Sequence, residues 1–300
     1  MYKKIQLPFI ALATGAICAV TQPALAGEGG GSSYNGGVEN FVVGAAPPPG
    51  FYVLEYGNVY SADTLKDGSG NTIPVPGFKV NAVAAATRFV WSTNEKMLGG
   101  SLVWHAIVPL VDLSVSAAGA SQRKTGIGDI TFGPGVAFHH SPSLHSVIAL
   151  DFVAPTGEYD KINLTNIGRN YWSLQPLFAM SQIDPNGFNW DFKATLNLAG
   201  TNTATNYRSG NELYVDYSAG VGLGNGWTIG VGGYWMQQLS ADSSNGVEVA
   251  NSLTKAFAIG PSVKYDNGKG WFITAKLQQE MAVVGRTQGS ALWIKSTIPF

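Results

Sequence analysis

The stretch ALWIKSTIPF occupies residues 291–300. In an extended strand, Leu292, Ile294, Ile298 and Phe300 share one face, while Lys295 and Thr297 share the other. An alternating strand that stops on an aromatic residue predicts the closing strand of a bacterial outer-membrane barrel. The opening residues point the same way. Lys3 and Lys4 precede a short apolar run from Ile5 to Val20, and Ala24-Leu25-Ala26 reads as a small-residue cleavage site. A signal peptide is therefore expected over residues 1–26, with the mature chain beginning near Gly27.

Composition fits a barrel. Charged residues make up 12% of the chain, roughly half the ~25% of soluble domains. After the signal, no stretch approaches the ~20 apolar residues of a membrane helix. Alternation spreads apolar residues thinly, so a barrel shows modest hydropathy. The single cysteine, Cys18, lies in the signal, which excludes disulfides and cysteine metal sites from the mature chain. Ile17 ahead of it is a poor match to a lipoprotein site, so no lipid anchor is expected. Setting aside Lys3 and Lys4 leaves 16 basic against 19 acidic residues, a balance that gives no reason to expect nucleic acid.

Twelve extended stretches can be read, near 50–60, 78–92, 97–113, 125–140, 144–156, 169–183, 187–199, 209–224, 226–240, 255–266, 270–283 and 290–300. Short connections are expected at 92–96, around Ser141-Pro142-Ser143, at 184–187, at Gly224-Asn225-Gly226 and at 266–270, where Pro, Asn and Gly supply turn geometry. Longer polar segments are expected at 61–77, 114–124, 157–168, 200–208, 241–254 and 284–289. The fold class predicted is all-β: a transmembrane antiparallel up-and-down β-barrel of about 12 strands after a cleaved signal peptide. Short turns on one side and long loops on the other place both termini in the periplasm and the chain in the outer membrane of a Gram-negative cell. Trp91, Trp190, Trp227 and Trp271 lie near short turns and suit an aromatic girdle, with Tyr171, Trp172 and Trp293 suiting the opposite one.

Alternation assigns faces. Phe188, Trp190, Phe192, Ala194, Leu196 and Leu198 oppose Asn189, Asp191, Lys193, Thr195 and Asn197. A one-residue slip would put Lys193 into lipid at roughly 2–4 kcal/mol. The same parity sends Glu55, Arg88, His105, Asp129, Asp151, Asp191, Lys193, Glu212, Asp216, Lys264, Lys276, Glu280 and Lys295 inward. The structural reading of this list is charge pairing between neighbouring strands; the functional reading is contact with a substrate. Apolar lumen contacts expected by parity are Phe51, Val53, Val103, Tyr214, Tyr234 and Phe272. The domain division is a signal peptide over 1–26, a Gly/Pro-rich leader or plug over 27–49, and a barrel over 50–300. Pro47-Pro48-Pro49 cannot join a ladder; the segment is either a flexible periplasmic leader or a plug whose piece Phe41 to Ala46 folds back into the barrel.

Four segments carry a resemblance: PPPGFYVLEY (47–56), GIGDITFGPG (126–135), PTGEYDKINLTNIGRNYWSLQP (155–176) and SGNELYVDYSAG (209–220). The chain from about Pro47 to Phe300 resembles the meta-pathway phenol-degradation family of outer-membrane proteins, described as transporters. That resemblance implies an outer-membrane barrel and passage of aromatic or other hydrophobic compounds; it carries over no catalytic residue. In the 155–176 block, Asn side chains and Arg169 can bond loop backbone. The loop either constricts the mouth, where Tyr159, Tyr171 and Trp172 would meet an apolar ligand, or packs on its neighbours.

The leading functional expectation is a channel for passive uptake of small hydrophobic or aromatic compounds, with no cofactor and no metal. The glycines match no phosphate-binding loop. The alternative is a structural or adhesive barrel that binds a partner through its long loops. A lipid hydrolase would need a nucleophile beside a base. His105 lies mid-strand with no identifiable partners, and His139, His140 and His145 cluster at a short turn, so no enzyme is expected. Expected partners are outer-membrane lipid, the barrel-assembly machinery through the strand ending at Phe300, and a small hydrophobic molecule.

Overall fold

A computed structural model describes residues 28–298; the expected signal peptide and Phe300 lie outside the described residues. The wall is built from β1 (Gly50–Leu65), β2 (Lys79–Met97), β3 (Gly100–Ala117), β4 (Ala120–Ile127), β5 (Ile130–His139), β6 (Leu144–Ala154), β7 (Ser173–Gln182), β8 (Phe188–Ala199), β11 (Glu212–Gly222), β12 (Trp227–Gln238), β15 (Lys255–Asp266), β16 (Phe272–Val284) and β17 (Thr287–Ile298). Between them, β9 (Thr201–Asn202), β10 (Tyr207–Arg208), β13 (Ser243–Ser244) and β14 (Val247–Glu248) form a small sheet of their own among the loops. Because β4 and β5 are two halves of one stave, the wall has twelve strands. Neighbours pair antiparallel throughout, and β1 pairs with both β2 and β17. That last seam closes the sheet, so that among the described wall strands only β4, at one end, keeps an edge no strand pairs, and the wall has no free edge running its length for lipid to meet.

Side-chain alternation runs through the wall as the sequence predicts for β8. Asn189, Asp191, Lys193, Thr195 and Asn197 are buried, while Phe188, Trp190, Phe192, Ala194, Leu196 and Leu198 are not. Glu212, Tyr214, Asp216 and Ser218 of β11, and Thr274, Lys276, Gln278 and Glu280 of β16, repeat the pattern. The outer face carries exposed Val59, Val83, Leu110, Ile148, Leu277 and Leu292, the apolar band that a bilayer covers. Near the short turns, Trp227 packs on Tyr265 at 4.9 Å and Tyr265 on Trp271 at 5.9 Å. Trp293 instead faces the lumen beside Asn58, which corrects its expected place in a girdle.

Several turns differ from expectation. The strand β2 runs on through a bulge to Met97, and the turn is Leu98-Gly99, both with positive φ (53° and 84°), the geometry of a two-residue hairpin. The expected long loop at 114–124 is a hairpin turned at Ala118-Gly119 (φ 51° and 86°). The expected loop at 284–289 shrinks to Gly285-Arg286 between β16 and β17. Two-residue turns need only left-handed backbone, so long hairpins absorb polar residues that composition alone assigns to loops. The far side, hereafter the loop end, keeps the long connections 66–78, 155–172, 200–211 and 239–254. Among the described residues, strand β4 pairs with β3 only. Its other edge is met by the 155–172 loop, where Thr165 donates its N–H to Gln122 at 2.8 Å and Gln122 donates to Asn163 at 3.1 Å.

Residues 28–49 do not join the wall. They begin at the loop end, where Glu28 accepts hydrogen bonds from Tyr159 (2.8 Å) and Asn202 of the long loops. They run down the lumen to the short-turn end, where Ser92 bonds the carbonyl of Pro47 at 2.9 Å. Strand parity fixes where β1 starts and β17 stops, but not a preceding segment of this length. At ~3.3 Å per extended residue the segment can thread the whole lumen. Glu28 therefore does not share the rim of Gly50, as a leader confined to the side of the short turns would.

Candidate functional site

The lumen segment is held by side chains that the alternation sends inward. Ser32 donates to Glu212 at 2.5 Å and Ser33 to Asn197 at 2.9 Å. Tyr34 donates to Asp216, which also accepts the Gly37 N–H at 2.5 Å. Lys276 bonds the Glu39 carbonyl at 2.6 Å, and Ser262 bonds the Asn40 side chain at 2.7 Å. Asp191 accepts the N–H groups of Val42 (2.8 Å) and Val43 (3.1 Å). Val42 has φ 69°, a strained value for a β-branched residue that these bonds hold in place. Gly36 lies on the Tyr234 and Tyr214 rings so closely that a Cβ there would stand 2.8 Å and 3.1 Å from them.

Glu39 is the hub. Its carboxylate is 3.1 Å from Lys295 Nζ, 3.3 Å from Arg88 Nη1 and 3.8 Å from Lys193 Nζ. Its side chain is 5% exposed and those of Lys295 and Lys193 are 4% and 11% exposed, while Arg88 keeps 25% accessible, so the attraction is least screened on the Lys295 side. Arg88 also donates to the Tyr56 hydroxyl at 3.3 Å. Neighbouring-strand charge pairing, the expected structural role, is therefore replaced at these three cations by convergence on one acid from the lumen segment.

The segment covers the β8–β17 side of the lumen. Along the β1–β7 side, cavities follow one another from the loop end to the short-turn end. The first, of about 420 Å³, is lined by Phe78, Val80, Leu113, Val115, Tyr159 and Tyr171. It shares Leu113, Arg169 and Thr287 with a second of about 180 Å³. Tyr34, Asn58 and Trp293 join that to a third of about 130 Å³, walled by Ala84, Ala86, Ile107 and Val111. Tyr56, Glu39 and Lys193 join the third to the last, of about 100 Å³, lined by Leu54, Val90, Val103, Val147 and Leu177. The lane is apolar at both ends and tapers to the charged belt at Glu39. Its lower cavities fall short of the ~300–1,000 Å³ of a ligand pocket.

Beside the belt, His105 Nε2 is 2.8 Å from Asp151 Oδ1. Arg88 Nε, His105 Nδ1 and Trp293 Nε1 are buried without a hydrogen-bond partner among the described residues. At the loop end, burial first, and then its hydrogen bond to Glu28, push the Tyr159 hydroxyl above its ordinary pKa. Burial pushes Tyr171 up to about 12, against the opposing charge of Arg169. Both phenols stay neutral at ordinary pH.

Arg88, His105, Asp151, Asp191, Lys193, Glu212, Asp216, Lys276 and Lys295 all face inward, as does Lys264, 4.0 Å from Asp266. Glu280 bonds Tyr234 (2.5 Å) and Tyr60 (3.0 Å). Asp129 lines the lane but is occupied by the N–H groups of Gly157 (2.9 Å) and Arg169 (2.8 Å). Phe272 lies under Lys295 at 5.8 Å. Glu55 is a correction: Leu54 and Tyr56 line the lumen, so Glu55 faces outward and accepts a bond from Thr87 at 2.8 Å. Phe51, 61% exposed, shares that outer face, and so by parity does Val53, which is itself covered between Phe89 and Ile298 on the neighbouring strands. Trp172 packs on Phe132 at 6.5 Å on the outer surface, which corrects its reading as a ligand contact and agrees with its girdle reading, whereas buried Tyr171 lines the lane and corrects its own place in a girdle. Tyr214 faces inward but lies fully buried against Tyr34 of the lumen segment, at 4.9 Å. Sequence reasoning missed Glu39, Tyr56 and Trp293. The available signal was that Glu28 and Glu39 are the only charges in residues 27–49.

A family model described as "Putative MetA-pathway of phenol degradation" matches residues 62–295. Among solved structures, the chain is similar to the COG4313 outer membrane channel from Pseudomonas putida F1. The TM-score is 0.77 at 14% identity, covering 88% of this chain and 100% of that one. It is more distantly similar to the CymD monoaromatic hydrocarbon channel, with TM-score 0.44 and 11% identity over 84% of this chain and 89% of that one. The translocator domain of the autotransporter NalP from Neisseria meningitidis gives 0.46 at 10% identity, over 85% and 90%. No curated protein matches the chain in sequence.

Proposed function

This chain belongs to the family described as "Putative MetA-pathway of phenol degradation", and from that premise we propose that it is an outer-membrane channel for passive uptake of small hydrophobic or aromatic compounds. The observation that carries the reading is the row of cavities along β1–β7, which share lining residues from the loop end to the charged belt and are apolar-walled in the first and third. In this reading the loop end faces outside and the short turns face the periplasm. The lumen segment is a plug, and passage requires it to shift at Glu39, where the lane is narrowest. Diffusion down a gradient needs no nucleotide and no catalytic group. His105 is oriented by Asp151, but no hydroxyl bonds its ring among the described residues, so the pair lacks a nucleophile.

The test is uptake of p-cresol and toluene into vesicles whose outer leaflet is lipopolysaccharide, which retards apolar solutes. The protein should accelerate uptake over empty vesicles. Uptake at the empty-vesicle rate would discard the channel in favour of a barrel that binds a partner through its long loops.

A further inference from the structure

We propose that Arg88, Lys193 and Lys295 form a carboxylate-recognition site that Glu39 of the lumen segment fills in place of a ligand, so that a small acid with an apolar body competes with Glu39 for it. The first argument is charge. Three cations from β2, β8 and β17 converge on one carboxylate, at 3.3, 3.8 and 3.1 Å. Each makes its one ion pair with Glu39 among the described residues. Asp151, Asp191 and Asp216 act on these cations from farther away, and the one carboxylate at ion-pair distance among the described residues is that of Glu39, so the centre of the cluster is built to hold an anion.

The second argument is the unused donor. Arg88 spends Nη1 on Glu39 and Tyr56, while its Nε–H is buried with no acceptor among the described residues. A guanidinium fork recognises a carboxylate with two parallel donors, and Glu39 engages only one edge of it. The third argument is shape. The cage caps the last cavity of the lane, whose other walls include Leu54, Val90, Val103, Val147 and Leu177, with His105 among them. A charged head at the cage and an apolar body against these side chains describe a small aryl or alkyl monocarboxylate, whose room is the cavity of about 100 Å³ together with the space Glu39 gives up.

Glu39 can yield the place. Its segment forms no ladder with the wall, so release breaks side-chain contacts and leaves every strand pairing intact. The arrival of the acid through the lane rests on the channel reading; the cage itself does not.

The experiment is calorimetry on the full barrel in lipid nanodiscs, with empty nanodiscs as reference. The titrants are p-toluate, p-cresol and toluene, which share one apolar body and differ in the head group. Glu39→Gln removes the competing charge and should tighten p-toluate by about tenfold, the scale of one charged hydrogen bond. Binding of p-cresol and toluene should stay as in the native chain. Adding Lys193→Met to Glu39→Gln should abolish the gain. Unchanged p-toluate affinity in Glu39→Gln overturns the proposal. So does an equal gain for all three compounds, which would mean that the plug merely loosened. Should Glu39→Gln fail to fold, Val43→Cys in a Cys18→Ser chain provides a second reading. Its maleimide labelling should accelerate with p-toluate and not with p-cresol, and equal rates overturn the proposal. Tight p-toluate binding without vesicle uptake would instead remove the channel and leave the cage standing.

Discussion

Lys295 stands 3.1 Å from Glu39 and gives its remaining hydrogen bonds to the carbonyls of Asn40 (3.2 Å) and Phe41 (3.0 Å). All three ammonium donors of a side chain on the last wall strand are thus committed to the segment that precedes the first. Lys295→Met should release that segment. Removing one partner of a buried pair costs about 3–5 kcal/mol when nothing else compensates; here Arg88 and Lys193 remain, so the loss should lie at or below the lower value. The expected outcome is higher single-channel conductance in planar bilayers and a lower unfolding temperature on gels run boiled and unboiled.

Gly36→Ala should have the same effect on conductance by steric means. The added carbon would meet Tyr234, whose hydroxyl is fixed by Glu280 at 2.5 Å. Since neither ring can retreat, the segment must. Conductance equal to that of the native chain would show that the tyrosines yield instead.

Ala86 and Ala85 form a matched pair on β2, the first lining the lane and the second exposed on the outer face. Ala86→Phe should fill the third cavity and bring p-cresol uptake down to the empty-vesicle rate. Ala85→Phe adds the same ring to the lipid face and should leave uptake as it was. Equal uptake in both variants would place the route elsewhere.

Glu55→Leu tests the corrected face of β1. An outward carboxylate in the apolar band destabilises by less than the ~2–4 kcal/mol of a midplane lysine. Its replacement should therefore raise the unfolding temperature slightly and leave conductance unchanged. A carboxylate that belonged to the lumen would give the opposite result on both counts.

Alkaline pH should loosen the loop end. Tyr171 is pushed up to about 12 from 10.0 by burial, so the folded state favours its neutral form. That contribution is complete below about pH 10 and is lost as pH rises through about 12. Phenolate absorbance should show a late-titrating tyrosine that disappears in Tyr171→Phe.

Strand parity was legible wherever one face was plainly polar. In β8, Asp191 and Lys193 stand between Trp190, Phe192 and Ala194, and hydropathy admits one register. In β1 both faces are mixed: Phe51, Val53, Glu55 and Val59 against Tyr52, Leu54, Tyr56, Asn58 and Tyr60. There the outcome depends on the tyrosines reaching partners in the lumen, such as Tyr60 with Glu280 at 3.0 Å. Local sequence carries no trace of that contact. The same holds for Glu39. Its partners lie on β2, β8 and β17, at separations of 49 to 256 residues for Arg88 and Lys295, and only closure of the wall brings them together. Turn lengths failed for a different reason, because polar composition marks exposure equally in a loop and in a tall hairpin.

The path of residues 28–49 sets Glu28 and Ile298 on opposite rims. A fluorophore fixed at each would stand on different sides of the bilayer, and a quencher too large to permeate would silence only one of them from a given side. The molecule therefore carries its own compass: which dye darkens when quencher is added outside sealed vesicles reports how it is inserted.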